Sequence, residues 1–299
     1  MAYTSEYPYC KFPFDEWNPV QERCLPHFAE ESNLVVAAST ASGKTAIAEA
    51  VFGHSLFNGG RCIYLSPLRA INNEKLRRWR HHPTLGEANP VLVDGKSRPS
   101  DPDSIRSSML VISTIESFWL ALRSKEEWTS CLSVVVLDEA HILGDMERGA
   151  VAEATLMMLR DGSPRCRIVL LSGTMGNPRE LAIWLNRLNG LPSHYVSSRW
   201  RPGNLSIRVI AESGLDRQFS RAIEALKDNP SGKTLVFVHS MKVGKLLVSR
   251  LEKAGLTCAF YHAGLANLQK FRMLASFKSE LGGLDVLVAT SSLGAGIDL

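Results

Sequence analysis

The chain has 299 residues, 45% of them hydrophobic, which at ~100–200 residues per domain supplies material for two cores and excludes global disorder. Lys and Arg number 34 against 30 Asp and Glu, and the whole net charge of +4 arises after Pro202, a balance that permits a polyanionic partner without demonstrating one. No run approaches the ~18 apolar residues of a membrane span, the N-terminus lacks the basic-then-apolar order of a signal peptide, and the six cysteines form no CxxC pair; together these predict reduced thiols in the cytoplasm, or in the nucleus of a eukaryote.

From Asn33 to about Tyr195, short apolar runs alternate with longer amphipathic ones. Leu34–Ala38, Cys62–Leu65, Met109–Ile112, Val134–Leu137 and Ile168–Leu171 are rich in β-branched residues and mostly bounded by Gly, Pro, Ser or Asp, which predicts buried strands. Helical periodicity runs near Thr45–Leu56, Asn72–Arg80, Glu116–Leu122, Ala150–Leu159 and Pro178–Leu188. Continuous rather than alternating apolar strands predict an α/β fold whose parallel sheet is covered on both faces. Polar Ser197–Asn204, broken by Pro202 and Gly203, reads as a linker, so the first domain is expected over 1–200 and the second over 201–299. The alternation then resumes with a helix at Leu215–Lys227, a strand at Thr234–Val238, a helix at Val243–Ala254, a strand at Thr257–Phe260, a helix at Leu268–Lys278 and a strand at Asp285–Ala289. This second unit has fewer strands than a doubly wound sheet needs and reads as incomplete at its C-terminus.

Chemistry concentrates at two places. Ala38-Ser39-Thr40-Ala41-Ser42-Gly43-Lys44-Thr45 follows the first strand and opens a helix, the setting that a phosphate-binding P-loop requires. Residues as small as Thr40, Ala41, Ser42 and Gly43 let backbone N–H groups and a helix N-terminus face phosphates. Lys44 would neutralise the β- and γ-phosphates and the Thr45 hydroxyl would ligate Mg²⁺. Ala38 stands where the strict pattern has glycine. Gly232-Lys233-Thr234 repeats the letters but precedes a strand, so it reads as a turn. The second place is Asp138-Glu139-Ala140-His141, at the C-terminal tip of an apolar strand, the edge of an open α/β sheet where ligands bind. Asp138 is assigned to Mg²⁺ and Glu139 to orienting and deprotonating a water. Two acids after a strand also serve as a helix cap; beside a P-loop they define an Mg²⁺-dependent nucleoside triphosphatase.

Lys44 and the DEAH tetrapeptide resemble motifs I and II of the superfamily 2 helicases, and further matches follow in that family's order. Gln21 resembles the upstream glutamine that reads adenine; Ser66-Pro67-Leu68-Arg69-Ala70-Ile71 with Glu74-Lys75 resembles motif Ia, and Ser113-Thr114-Ile115-Glu116 motif Ib. Ser172-Gly173-Thr174 resembles motif III, Val236–Ser240 motif IV, Tyr261–Leu265 motif IVa, and Ala289-Thr290 through Gly294–Asp298 motif V. The PLRA wording, the run HILGDMERG, GNPRELAIWLN and WRPGNL are similar to the superkiller-like branch that includes archaeal Holliday-junction-migration repair helicases.

The resemblance implies two tandem RecA-like domains, the second incomplete, that bind ATP and Mg²⁺ and move on single-stranded or forked nucleic acid, with DNA favoured over RNA on the PLRA and WRPGNL wording. Lys44 and Glu139 would be catalytic; Gln21, the loop through Thr45, and Asp298 would hold nucleotide. His141, Ser172 and Thr174 would couple nucleotide state to domain closure. Pro67, Arg69, Thr114, Ser240 and Thr290 would grip phosphates and sugars. The glycine- and arginine-rich motif VI is missing, which leaves an ATP-gated single-strand clamp as the alternative. A P-loop kinase leaves every motif after Ser172 unexplained. Trp79, Trp119, Trp128 and Trp184 read as core anchors, Trp200 as hinge packing, His239 and His262 as packing or capping groups, and the basic cluster Arg77, Arg78, Arg80, His81, His82 as a solvated helix end.

Overall fold

A computed structural model gives the fold and describes residues 2–95, 102–228, 232–279, 283–290 and 293. The chain divides into two compact units, 1–204 and 205–299. In the first, the apolar runs become β1 (Asn33–Ala38), β2 (Arg61–Ser66), β3 (Val91–Val93), β4 (Leu110–Thr114), β5 (Leu132–Asp138), β6 (Arg167–Ser172) and β7 (Ser193–Ser198). They form one sheet in the order β3-β4-β2-β5-β6-β1-β7. Every neighbouring pair is parallel, so all seven carboxyl ends lie along one edge.

The crossovers carry α1 (Pro19–Cys24), α2 (Lys44–Phe57), α3 (Arg69–Arg80), α4 (Pro102–Ser107), α5 (Ile115–Arg123), α6 (Gly149–Gly162) and α7 (Pro178–Asn189). Successive strand residues feed opposite cores. Leu34, Val36, Tyr64, Ile112, Val136 and Val169 pack with Ile47, Phe52 and Trp79 on one face. Val35, Ile63, Leu65, Val111, Val135 and Leu170 pack with Phe118, Leu156 and Leu185 on the other. Burial on both faces is why these strands read as unbroken apolar runs.

The second unit contains α8 (Leu215–Lys227), β8 (Thr234–Phe237), α9 (Met241–Lys253), β9 (Cys258–Tyr261), α10 (Asn267–Lys278) and β10 (Val286–Ala289). Its described strands pair in parallel in the order β8-β10-β9. Phe219, Leu247, Leu251, Val286 and Val288 fill one face, and Tyr261, Phe277, Leu287, Ala289 and Leu293 the other.

Four elements escape sequence periodicity. β7 is the edge strand, in which only Val196 is buried, so it reads as polar; it runs to Ser198, two residues into the stretch read as a linker. β3 has three residues, too few to show a period, and α4 has six. α1 also has six residues and is held by its capping box: the Asn18 side chain accepts from the Val20 and Gln21 N–H groups while the Gln21 side chain accepts from the Asn18 N–H. Two side chains differ from expectation. Trp119 is half-buried and carries the Arg123 guanidinium 4.7 Å above its ring instead of entering the core. Arg78 is no purely solvated charge, since it pairs at 3.1 Å with the fully buried Glu49, which also accepts from Trp79 Nε1 at 2.9 Å. Trp200 packs against the core of the first unit.

Candidate active site

Five residues connect the fully buried β1 to α2, and two of them bend the wrong way for a strand or a helix: Ala41 has φ 62° and Gly43 φ 77°. Left-handed residues curl the backbone into the concave form that anion-binding loops use. The curl is braced from α1, where Asn18 Nδ2 donates to Ser42 O at 3.0 Å and Gln21 Nε2 to Gly43 O at 3.2 Å. Gln21 is buried and both ends of its amide are engaged, one on Gly43 and one on the Asn18 N–H.

The loop is built for a polar guest. The Ser42 hydroxyl is fully buried with no hydrogen-bond partner, an arrangement that costs free energy until something accepts from it. Lys44 reaches back over the loop and donates to Ala38 O at 2.9 Å and Ser39 O at 3.0 Å. Burial lowers its pKa, and the carboxylates of Asp138 and Glu139 act in the opposite direction. The Thr45 hydroxyl accepts from Lys75 Nζ at 3.1 Å. A phosphate and a divalent cation therefore suit the groups present: an orphaned hydroxyl, an ammonium, a hydroxyl and two carboxylates.

The carboxylates arrive by topology. β5 and β1 flank β6, so the DEAH turn and the P-loop emerge from the same edge with only the end of β6 between them. Asp138 accepts a hydrogen bond from the buried Tyr64 hydroxyl on the adjacent β2, whose own pKa is pushed up by burial and by that carboxylate. Glu139 sits in the left-handed region at φ 52°, and its N–H is held by Asp138 Oδ1 at 2.9 Å. Strain of this kind in a non-glycine residue concentrates at functional sites. Desolvation and then the neighbouring Asp138 raise the Glu139 pKa, while His141 and Lys44 lower it. The end of β6 joins the two. His141 Nδ1 lies 3.1 Å from Ser172 Oγ and 3.3 Å from Glu139 Oε2. The Ser172 hydroxyl also receives the Thr174 N–H at 3.2 Å, and Gly173 stands against Thr40, where an added Cβ would lie 3.6 Å from the threonine hydroxyl.

A second set of expected residues gathers elsewhere on the first unit. Pro67, Arg69 and Thr114 line one cleft of about 540 Å³, with Arg69 opening α3 and Thr114 capping α5 by accepting from the Ser117 N–H at 3.3 Å. In the second unit, Ser240 caps α9 by accepting from the Val243 N–H at 3.3 Å, and Thr290 follows β10 with its N–H on Tyr261 O at 3.2 Å. Asp298 lies outside the described residues.

Sequence reading missed Asn18 and Tyr64 as site residues, named Lys75 only within motif Ia and without its contact to Thr45, and assigned no role to Arg148, which lines the second cleft. The spacing of Asn18 and Gln21 is a visible capping-box signal. The other contacts come from tertiary packing that no local spacing encodes. Among the described residues, His27, Glu30 and His194 also bring ligand-type atoms within 4.8 Å of one another. The two imidazoles stack face to face, however, at 4.2 Å and 17°. Rings in parallel planes do not both point at one ion, so this is a stacked pair whose ring nitrogens face Glu30 at 2.8 and 3.6 Å and not a metal centre.

The parallel order, the strand–loop–helix bearing Lys44 and the acidic pair on the same edge define a P-loop nucleotide-binding protein built as two α/β units. Residues 18–181 match the model of the DEAD/DEAH box helicases and residues 217–299 that of the helicase conserved C-terminal domain. The chain belongs to the DEAD/DEAH box helicase family. It is 30% identical to the ATP-dependent DNA helicase Hel308 of Pyrococcus horikoshii over 94% of this chain and 43% of the relative, and 28% identical to that of Methanocella arvoryzae over 94% and 44%. It thus spans less than half the length of these relatives. Among solved structures, the helicase MrfA bound to DNA and AMPPNP matches with a TM-score of 0.76 at 20% identity, covering 96% of this chain and 43% of that one. Dbp5 of S. cerevisiae bound to RNA and ADP BeF3 matches at 0.70 and 18% identity, covering 95% and 73%. No described helix is long and apolar enough to cross a membrane.

Proposed function

We propose that this chain is the ATP-driven motor of a nucleic-acid helicase or translocase, coupling hydrolysis of Mg-ATP to movement along, or unwinding of, strands, with DNA favoured over RNA. One observation carries the reading: Lys44 and the Asp138–Glu139 pair come together at one sheet edge, close enough for both carboxylates to act on the Lys44 ammonium and for Lys44 to act on Glu139. Similarity to proteins named ATP-dependent DNA helicases supports the choice of DNA.

In this reading the loop from Thr40 to Gly43, with the orphaned Ser42 hydroxyl and Lys44, binds the β- and γ-phosphates. Thr45 and Asp138 would hold Mg²⁺, which when bound supplies positive charge against the phosphate oxygens. Glu139 orients the attacking water and takes its proton, a role suited to a carboxylate whose pKa is raised. Gln21 acts on the nucleotide through the loop it braces. His141, Ser172 and Thr174 share hydrogen bonds across the end of β6 and would pass the change at the γ-phosphate onward. Pro67, Arg69 and Thr114, with Ser240 and Thr290 of the second unit, grip phosphates and sugars without reading bases. By the resemblance Asp298 would also hold nucleotide, and the boundary between the two domains is read near residue 200.

The test is phosphate release measured with and without an oligodeoxythymidylate. Stimulation by the strand is expected, with a loss of at least ~100-fold on Lys44→Ala. Equal rates with and without polynucleotide would sink the helicase reading.

A further inference from the structure

The turn that begins at Glu139 continues, bond by bond, into the strand cleft. Ile142 N–H donates to Glu139 O at 3.0 Å and Asp145 N–H to Ile142 O at 2.9 Å. The Asp145 carboxylate then receives the Glu147 and Arg148 N–H groups at 2.9 and 2.8 Å, contacts that hold its pKa below the usual range. Gly149 closes the turn: an added Cβ would lie 2.7 Å from Leu143 O, so no larger residue fits without displacing the turn.

Arg148, fixed in this way, spans two other segments. Its Nε donates to Glu116 Oε1 at 2.9 Å, its Nη2 donates to the same oxygen at 2.5 Å, and Nη2 also donates to Pro67 O at 3.0 Å. Pro67 precedes Arg69 at the start of α3, and Glu116 follows Thr114 at the start of α5. One guanidinium therefore ties together the two helix starts that line the cleft. Helix N-termini attract anions, which suits a phosphate chain there. Glu116 opposes it: its carboxylate, 46% exposed, stands at the cleft and would repel phosphate unless neutralised.

We propose that Arg148 is a positioning residue for strand binding, cancelling the Glu116 charge at the cleft and fixing the starts of α3 and α5 so that Arg69 and Thr114 address one stretch of sugar–phosphate backbone. The inference rests on the reading of this cleft as a strand site and adds to it a residue that need not touch the strand itself.

The experiment is fluorescence anisotropy of a fluorescein-labelled oligodeoxythymidylate titrated with the full chain. Arg148→Ala is expected to weaken binding by about tenfold, the scale of losing a charged hydrogen-bonded partner. Glu116→Gln alone leaves the Arg148 charge uncancelled and does not weaken binding, and the double variant recovers the share of the loss that the unmasked carboxylate causes. Arg148→Lys, which keeps the charge but not the three-point contact, falls between, and it keeps the test alive if Arg148→Ala fails to fold. Rescue by Glu116→Gln is a readout that a merely structural arginine would not produce. The strut is overturned if the double variant binds as weakly as Arg148→Ala, or if Arg148→Ala binds normally while Arg69→Ala does not. Should Arg69→Ala and Thr114→Ala both bind normally, the strand site itself is misplaced and both readings fall.

Discussion

Gly43→Ala tests the P-loop where its backbone is least replaceable. Gly43 has φ +77°, and a Cβ there would lie 2.2 Å from Gln21 Nε2 and 3.0 Å from Asn18 Nδ2. Left-handed backbone costs an L-residue roughly 1–2 kcal/mol. The clash drives the Gln21 amide off Gly43 O, losing a hydrogen bond of about 1 kcal/mol and stranding a buried donor. The total is about 2–4 kcal/mol. If the loop keeps its shape, the whole penalty falls on stability, and at ~2–4 °C per kcal/mol for a unit of this size the melting temperature drops by several degrees. If the loop relaxes, the penalty falls on binding, and affinity for a fluorescent ATP analogue drops by about 30-fold or more. Thermal melting and nucleotide titration of the same sample separate the two. The reciprocal change, Ala41→Gly at φ 62°, relieves strain and is expected to leave melting unchanged or slightly higher. A Gly43→Ala protein with unaltered melting and unaltered nucleotide affinity would refute the argument.

Glu139→Gln should abolish strand-stimulated hydrolysis while leaving the melting temperature equal or raised, because it removes a charge that burial disfavours; a clear loss of stability would contradict the assignment. The same carboxyl binds its proton more tightly folded than unfolded, so its contribution to stability is lost as pH rises through its raised pKa. In the metal-free protein an NMR titration of the Glu139 carboxyl should accordingly give a midpoint above the usual glutamate range, and a midpoint at or below that range would count against its desolvation. Glu49→Ala leaves Trp79 Nε1 without its partner and Arg78 without its ion pair, and urea unfolding should show a loss of about 2–3 kcal/mol. Thiol titration of the native protein should modify exposed Cys131 first. Cys10, Cys24 and Cys62 are pushed to about 12 by burial and should react only on unfolding, as should Cys166, raised for the same reason.

Much of this molecule was legible along the chain. The apolar runs of β1, β2, β4, β5 and β6 announce themselves because a parallel strand buried on both faces has no polar alternation to confuse it. The P-loop is legible because small residues, a lysine and a threonine must follow one another on the backbone that binds phosphate, and the acidic pair because it ends a strand. The elements that stayed hidden are those whose local pattern is weak: the polar edge strand β7, the three residues of β3, and α1, stabilised by a cap instead of an apolar stripe.

Residue order alone thus determined that a loop of P-loop form and an acidic turn exist and that parallel sheets carry them. Only the folded molecule decided that β6 alone separates them, that Asn18 and Gln21 brace the loop, that Tyr64 reaches Asp138, and that Arg148 joins Pro67 to Glu116. The reason is physical. A motif is read from neighbours along the backbone, whereas strand order and side-chain partners come from packing segments dozens of residues apart, and nothing in the spacing of one segment names the other.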